Sequence, residues 1–157
     1  MKHVVGVADM KLSSTHGDVM VTHGLGSCLG VTAYDPVAKV GGMLHIMMPV
    51  ASANPDKARL NPCMFVDTAI PVLFEAMVKA GADKERFRLK VAGGAITQSS
   101  DYFAIGKRNY ITLKKVFWKS GVLIDAEDVG GNLARTLYME IGSGRVWINK
   151  AGQECEL

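Results

Sequence analysis

A cysteine stands inside a glycine-rich segment near the start of the chain, in the stretch "THGLGSCLG" at residues 22–30. A thiol attacks only as thiolate, and at an unperturbed pKa near 8.5 only about 3% of it is thiolate at pH 7. Flanking glycines let the backbone turn N–H groups towards a developing oxyanion. The segment therefore predicts a nucleophile loop, in which Gly26 and Ser27 shape the backbone around Cys28 and N–H groups of these residues serve as oxyanion donors. The alternative is a small buried thiol in a tight turn.

A histidine inside an apolar run is the candidate base for this thiol. His45 lies in "GGMLHIMMP" at residues 41–49, where a polar side chain must find a partner or be desolvated. If the apolar segments 29–34 and 40–48 pair, His45 comes near the start of the first one, beside Cys28. A thiol–imidazole pair lowers the thiol pKa. The alternatives are a core histidine bonded to a backbone carbonyl, and His23 in the glycine turn as the base.

A nucleophile and a base are usually completed by a third group that orients the imidazole. Thr22 ends the preceding strand and reaches across with its hydroxyl or its carbonyl. The carboxylates of Asp18 and Asp35 are less well placed for this task. No histidine or cysteine pair has ligand spacing such as HxxxH or CxxC, so the sequence predicts no metal site and no cofactor.

The pattern of apolar residues and turns indicates an α+β fold in a single domain of residues 1–157, with helices packed on a mostly antiparallel sheet. Strands are predicted at 4–10, 18–22, 29–34, 40–48, 86–92, 122–128, 134–141 and 145–149, and helices at 67–80 and 109–120. The turn "DPVAK" predicts a hairpin of 29–34 with 40–48. Pro71 fits the first helix if Thr68 is its N-cap, and Ile111 is expected on the buried face of the second. The segment 50–63, with two prolines, predicts a long surface loop.

Composition excludes several classes of protein. A net charge of +3 spread along the chain is too weak for nucleic-acid binding, although it favours a weak attraction to acidic partners. No apolar run approaches the 20 or so residues that a bilayer needs, so no membrane insertion is predicted. Three cysteines without a CxxC indicate free thiols in a reducing, cytoplasmic setting. Glycine pairs in "AGGA" at 92–95 and "EDVGGNLAR" at 127–135 predict turns and close backbone packing beside a site, not nucleotide loops.

Taken in order, these motifs resemble the chemoreceptor glutamine deamidases of the CheD family. The likeness runs through Thr22, "GLGSC" at 24–28, "DPVAKVGGMLHIMMP" at 35–49, "VDTAIPVL" at 66–73, "AGGA" at 92–95, "IGKRN" at 105–109 and "EDVGGNLAR" at 127–135. The resemblance implies a Cys–His–Thr triad of Cys28, His45 and Thr22. It also implies an α/β sandwich resembling the catalytic domain of the cytotoxic necrotizing factor toxins.

The resemblance further implies hydrolysis of selected glutamine side-chain amides on the cytoplasmic domains of methyl-accepting chemotaxis receptors. A cysteine thiolate and a thioester intermediate would carry the reaction, which releases ammonia and leaves glutamate. The CheC phosphatase is the second partner that the resemblance implies. The alternative function is a regulatory protein that binds receptors or CheC and has little catalytic activity.

Overall fold

Two five-stranded sheets make up most of the protein in this computed structural model, which describes residues 1–97 and 103–157. The strands are β1 (Lys2–Val4), β2 (Asp9–Ser13), β3 (Val19–Leu25), β4 (Leu29–Asp35), β5 (Val40–Ile46), β6 (Arg88–Gly93), β7 (Ala126–Val129), β8 (Arg135–Glu140), β9 (Val146–Lys150) and β10 (Gln153–Glu156). The first sheet has the order β1-β3-β8-β9-β10 and the second β2-β5-β4-β6-β7. Within these sheets only β1–β3 and β6–β7 are parallel. The predicted α+β class with mostly antiparallel pairing is confirmed, but the strands form two sheets where one was expected.

The helices add a third layer on the outer face of the second sheet. They are α1 (Pro55–Leu60), α2 (Val66–Lys79) and α3 (Ile105–Ser120), with 3₁₀ turns at Ala51–Ala53, Pro62–Met64 and Lys84–Arg86. Apolar residues of α2 and α3 pack with those of β4, β5 and β6 in one core, and a second core lies between the two sheets. None of the helices described is long and apolar enough to cross a membrane.

The hairpin of β4 and β5 separates these two cores and was correctly predicted. Its register pairs Leu29 with Ile46 at one end and Asp35 with Val40 at the other. Because side chains alternate along a strand, Leu44 and Ile46 pack towards the helices, whereas Met43 packs between the sheets. His45 falls on the Met43 side and therefore points between the two sheets.

Glycines let the two sheets approach closely at this hairpin. A Cβ added to Gly30 would lie 2.7 Å from side-chain atoms of Leu25 and Leu137 in the first sheet, and one added to Gly41 would lie 2.7 Å from Ile141. A side chain at either position would force these neighbours to shift, so glycine lets the two sheets lie this close. The narrow gap allows a side chain on one sheet to hydrogen-bond a side chain on the other.

The strand predicted at residues 4–10 is two strands in different sheets. β1 ends at Val4 and β2 begins at Asp9, and the chain between them crosses from the first sheet to the second. Backbone bonds hold the crossover, from the Val5 N–H to Val21 O and from the Ala8 N–H to His45 O, both 2.8 Å. Periodicity along the sequence cannot show a change of sheet, because alternation indicates a strand but not the strand it pairs with.

The predicted loop at 50–63 is mostly helical. Asn54 accepts a hydrogen bond from the Lys57 N–H at 3.2 Å and so caps α1, with Pro55 at the first helical position. The predicted N-cap of the next helix is also wrong, because α2 starts at Val66 and places Pro71 inside the helix. The Thr68 hydroxyl instead donates to Pro62 O at 2.6 Å.

Two smaller predictions about the second half of the chain need correction, and one strand there was missed. Ile111 is 41% exposed on α3, although Phe117 on the same helix is buried as expected. The strand predicted at 122–128 is only β7, since Val122 follows the Gly121 cap and packs beside the helices. The β10 strand was not predicted. The likeness to the cytotoxic necrotizing factor domain stays a prediction.

Candidate active site

A buried hydrogen bond joins the predicted base to the predicted orienting group across the two sheets. Thr22 on β3 and His45 on β5 are 0% and 1% exposed, and the Thr22 Oγ1 to His45 Nδ1 distance is 2.7 Å. The same Oγ1 lies 2.7 Å from the carbonyl oxygen of Val5 in the crossover. The structure therefore brings together two residues that are 23 positions apart in the sequence.

These two contacts determine which imidazole nitrogen carries the proton. The Thr22 hydroxyl has one hydrogen and must donate it to Val5 O, because a carbonyl oxygen can only accept. Thr22 Oγ1 therefore accepts from the Nδ1–H of His45, and in the neutral ring Nε2 bears the lone pair. Among the described residues Nε2 has no hydrogen-bond partner. Burial lowers the pKa of His45, which favours this neutral, basic form.

Cys28 lies at the same end of the hairpin as His45. It stands one residue before β4 and two before Gly30, the residue that pairs with His45, and it packs against the core between the sheets. Burial raises the pKa of the Cys28 thiol, and its own backbone N–H offsets only part of that effect. Burial therefore shifts the pKa of Cys28 opposite to the expected direction, and it favours the neutral forms of both Cys28 and His45.

The loop before Cys28 has one fewer oxyanion donor than expected. The N–H of Gly26 donates to Gly24 O at 2.9 Å, where Gly24 takes a φ of +69°. Gly26 therefore shapes the loop but its N–H group is not free for a substrate. The Ser27 carbonyl is also occupied, by the side chain of Asn109 at 3.0 Å. His23, the rival base, is exposed.

The "AGGA" segment holds the nucleophile loop in place. Gly94 N–H donates to Cys28 O at 2.9 Å, and Ala95 N–H donates to Gly26 O at 2.8 Å. A Cβ on Gly93, whose φ is +111°, would collide with the Cys28 carbonyl oxygen. The predicted close backbone packing of these glycines is confirmed.

The second glycine pair, Gly130 and Gly131, is hydrogen-bonded to the "AGGA" segment and to the residue that follows it. Gly130 N–H donates to Gly93 O at 2.9 Å, and Ile96 N–H donates to Gly131 O at 3.0 Å. An ion pair anchors this loop, with the Arg135 guanidinium 2.8 Å from Asp128. Burial by itself would raise the pKa of Asp128, but its hydrogen bonds to Lys150 and Arg135 leave that pKa below the usual range.

Asn109 is a polar residue of the site that the sequence interpretation missed. It is 0% exposed, and its Nδ2 lies 3.0 Å from Ser27 O and 3.0 Å from Met47 O. The signal was its spacing from Leu113 and Phe117, which puts all three on the buried face of α3. The start of the helix was predicted at residue 109, four positions too late, and Ile111 was assigned to its buried face instead.

The outer face of α3 gives the surface near the site a positive charge. Its exposed residues are all basic or apolar, namely Lys107, Arg108, Ile111, Lys114, Lys115, Trp118 and Lys119. Two cavities of about 310 Å³ open beside the site. One is lined by Gly94, Lys107 and Gly130 among others, and the other by Met47 and Phe65.

A family model described as CheD chemotactic sensory transduction matches residues 47–150. The chain belongs to the CheD family. The family resemblance stated from the motifs is thus confirmed. The matched range begins two residues after His45, so Thr22, Cys28 and His45 lie outside it.

Relatives in the CheD family match the chain over nearly its whole length. A probable chemoreceptor glutamine deamidase CheD 1 from Syntrophus aciditrophicus is 46% identical over 150 residues, which cover 95% of this chain and 94% of the relative. A probable chemoreceptor glutamine deamidase CheD from Solibacter usitatus is 46% identical over 155 residues, covering 98% and 92%. The chemoreceptor glutamine deamidase CheD of Thermotoga maritima is 41% identical over 152 residues, covering 97% and 94%.

Proposed function

We propose that this chain is a chemoreceptor glutamine deamidase, a single-domain cytoplasmic hydrolase of residues 1–157 with Cys28 as nucleophile, His45 as base and Thr22 as orienting group. The observation that carries the proposal is the buried Thr22–His45 hydrogen bond, which leaves Nε2 unpartnered at the end of the hairpin where Cys28 stands. The printed names of the relatives support chemoreceptor glutamines as substrate.

The first half of the reaction forms a thioester. Since Cys28 and His45 rest as neutral groups, the thiol proton moves to Nε2 as the sulfur attacks the carboxamide carbon, and the thiolate exists only in that step. The tetrahedral oxyanion accepts hydrogen bonds from the N–H groups of Ser27 and Cys28. The carbon–nitrogen bond then breaks as Nε2–H protonates the departing nitrogen, and ammonia leaves.

The second half hydrolyses the thioester with the same base. Neutral Nε2 of His45 takes a proton from water as the water oxygen attacks the acyl carbon. The carbon–sulfur bond breaks, Cys28 regains a proton from His45, and the substrate side chain leaves as glutamate. Thr22 holds the ring throughout, because its bond to Nδ1–H keeps the lone pair on Nε2.

The test is deamidation of a receptor cytoplasmic fragment from the same organism, followed by mass spectrometry of Gln→Glu conversion. We expect conversion by the natural chain, none by Cys28→Ala, and full activity in Cys155→Ala, which removes an exposed cysteine instead. His45→Gln should lose the activity as well. Receptor binding without Cys28-dependent conversion would favour the regulatory alternative. CheC binding is a separate prediction, which a pull-down with CheC in the absence of the receptor fragment tests.

A further inference from the structure

The β4–β5 ladder ends just before the proposed catalytic residues. Leu29 and Ile46 are the last pair of the register, so Cys28 and Met47 would form the next rung. Backbone pairing no longer holds the hairpin there, although the two residues that must meet, Cys28 and His45, stand at this open end. Strand ends without ladder bonds fray more readily than strand centres.

The side chain of Asn109 takes the place of the missing rung. Its single amide nitrogen has two hydrogens, and it donates at 3.0 Å to Ser27 O on one side and at 3.0 Å to Met47 O on the other. Both partners are carbonyl oxygens, which only accept, so the amide cannot be rotated by 180° without losing both bonds. Oδ1 has no partner within the described residues. Asn109 therefore binds the two loops through the hydrogen bonds that Nδ2 donates.

Asn109 can reach both carbonyl oxygens because α3 lies close to the "AGGA" segment. A Cβ on Gly106 would lie 2.6 Å from Ala95 O, so the first turn of α3 sits directly against the "AGGA" segment. Asn109 follows Gly106 by three positions and is on the same helix face. Because the "AGGA" segment also binds Cys28 O through Gly94 N–H, the helix and both loops form one hydrogen-bonded unit.

We propose that Asn109 is a positioning residue for the reaction, because it extends the β4–β5 ladder by one rung and so sets the position of Cys28 relative to His45. The proposal rests on the proposed function. Asn109 touches neither substrate nor reacting atoms; it acts through the Ser27 and Met47 carbonyls. Without Nδ2 these two buried acceptors lose their donor and the loops can separate. A displacement of about 1 Å between nucleophile and base can cost about 100-fold in rate.

The experiment compares Asn109→Leu and Asn109→Asp with the natural chain in the receptor-fragment assay. We expect kcat to fall about 100-fold in both variants, with KM changed less than about threefold, since Asn109 does not bind the substrate. The Asp variant has a further signature. Its carboxylate faces two carbonyl oxygens at high pH, and protonation restores one donor, so its activity relative to the natural chain should rise as pH falls.

The matched control is Tyr34→Phe, which removes a donor to a carbonyl at the opposite end of β4. The Tyr34 hydroxyl donates to Ile141 O at 2.7 Å, and the loss should lower the melting temperature but leave kcat unchanged. An Asn109 variant that melts earlier with kcat within twofold of the natural value would overturn the proposal. An equal loss of kcat in Tyr34→Phe would also overturn it, because the effect would then follow stability alone.

A second readout needs no receptor. Iodoacetamide alkylates Cys28 with a pH profile that should include assistance from His45, and Asn109→Asp should show the profile of His45→Ala. An unchanged profile in Asn109→Asp contradicts the positioning role, even if Asn109→Leu does not fold. If the natural chain shows no Cys28-dependent conversion, the proposed function fails, whereas the alkylation profile still decides the role of Asn109.

Discussion

The two ends of the β4–β5 hairpin differ in how their buried polar groups are hydrogen-bonded. At the far end, the Asp35 carboxylate is fully buried and saturated, with bonds from the N–H groups of Val37, Ala38 and Asp83 and from Arg86. At the near end, Nε2 of His45 has no partner within the described residues. The β4–β5 hairpin therefore carries a hydrogen-bonded charge at one end and an unpartnered base at the other.

The shifts in pKa follow from this difference. The bond to Arg86 is the main reason that the pKa of Asp35 lies well below its usual range, so the carboxylate stays charged. Burial without a charged partner shifts Cys28 and His45 towards their neutral forms. Paired polar groups stabilise the hairpin, whereas unpaired ones cost stability and remain available for proton transfer.

The largest effect should come from placing a methyl group against the backbone of Cys28, at the near end of the hairpin. Gly93→Ala puts a Cβ against Cys28 O, so we expect a loss of deamidation of more than about 1000-fold and a lower melting temperature. The control is Gly81→Ala, which has a similar φ of +102° but no atom within 4 Å of the added Cβ. Equal losses in the two variants, measured by kcat and thermal melting, would show that backbone strain alone is responsible.

Removing the Asp35 carboxylate at the far end should lower the free energy of unfolding and leave catalysis unchanged. Asp35→Ala leaves three N–H groups and Arg86 without their acceptor, and we expect the free energy of unfolding to fall by about 3 kcal/mol. Because the folded-state pKa lies below the ordinary value, this contribution is present above pH 4 and is lost on acidification. Denaturant titration at pH 7 and pH 3 measures both effects. A large drop in kcat at a temperature where the variant is folded would contradict the comparison.

The pH dependence of the reaction should show whether His45 rests in its neutral form. Since burial lowers the pKa of His45 below 6.5, the base stays neutral as pH falls through that value, and the acid limb of kcat/KM should have its midpoint below pH 6.5. A profile from pH 4 to 8 on the receptor fragment measures it. A midpoint above 6.5 would indicate that the imidazole rests as a cation beside a thiolate.

The smallest effect should come from the basic face of α3, which lies beyond the near end. Lys107→Glu with Lys115→Glu should raise KM severalfold for a receptor fragment of net negative charge and weaken the dependence of KM on salt. The control pair is Lys79→Glu with Lys84→Glu, near the far end. Comparable changes of KM in both pairs would show a general effect of net charge instead of a local one.

The parts of the fold that depend on neighbouring residues were predictable. The β4–β5 hairpin follows from alternation and turn residues close together in the sequence. Candidate site residues were also identifiable by type, since a thiol among glycines and a histidine in an apolar strand are unusual. Such signals are local, and they do not depend on how distant segments pair.

The parts that were missed depend on distant contacts. Asn109 looked like a polar residue at a helix start, and only the packing of α3 on the "AGGA" segment places it against Ser27 and Met47. The division of residues 4–10 between two sheets is of the same kind. It brings Val5 O to Thr22 and so decides the tautomer of His45.

By itself the sequence determined the chemical types of the site residues and the strands that hold them, because both depend on residues close together in the sequence. Tertiary structure alone decided the protonation states. A pKa depends on the dielectric surroundings and on partners from distant segments, and burial between two sheets reversed the expected shift of Cys28. Other distant segments supplied Asn109, Gly93 and Val5 around the proposed nucleophile and base, through the packing of α3, the pairing of β6 with β4 and the crossover between the sheets.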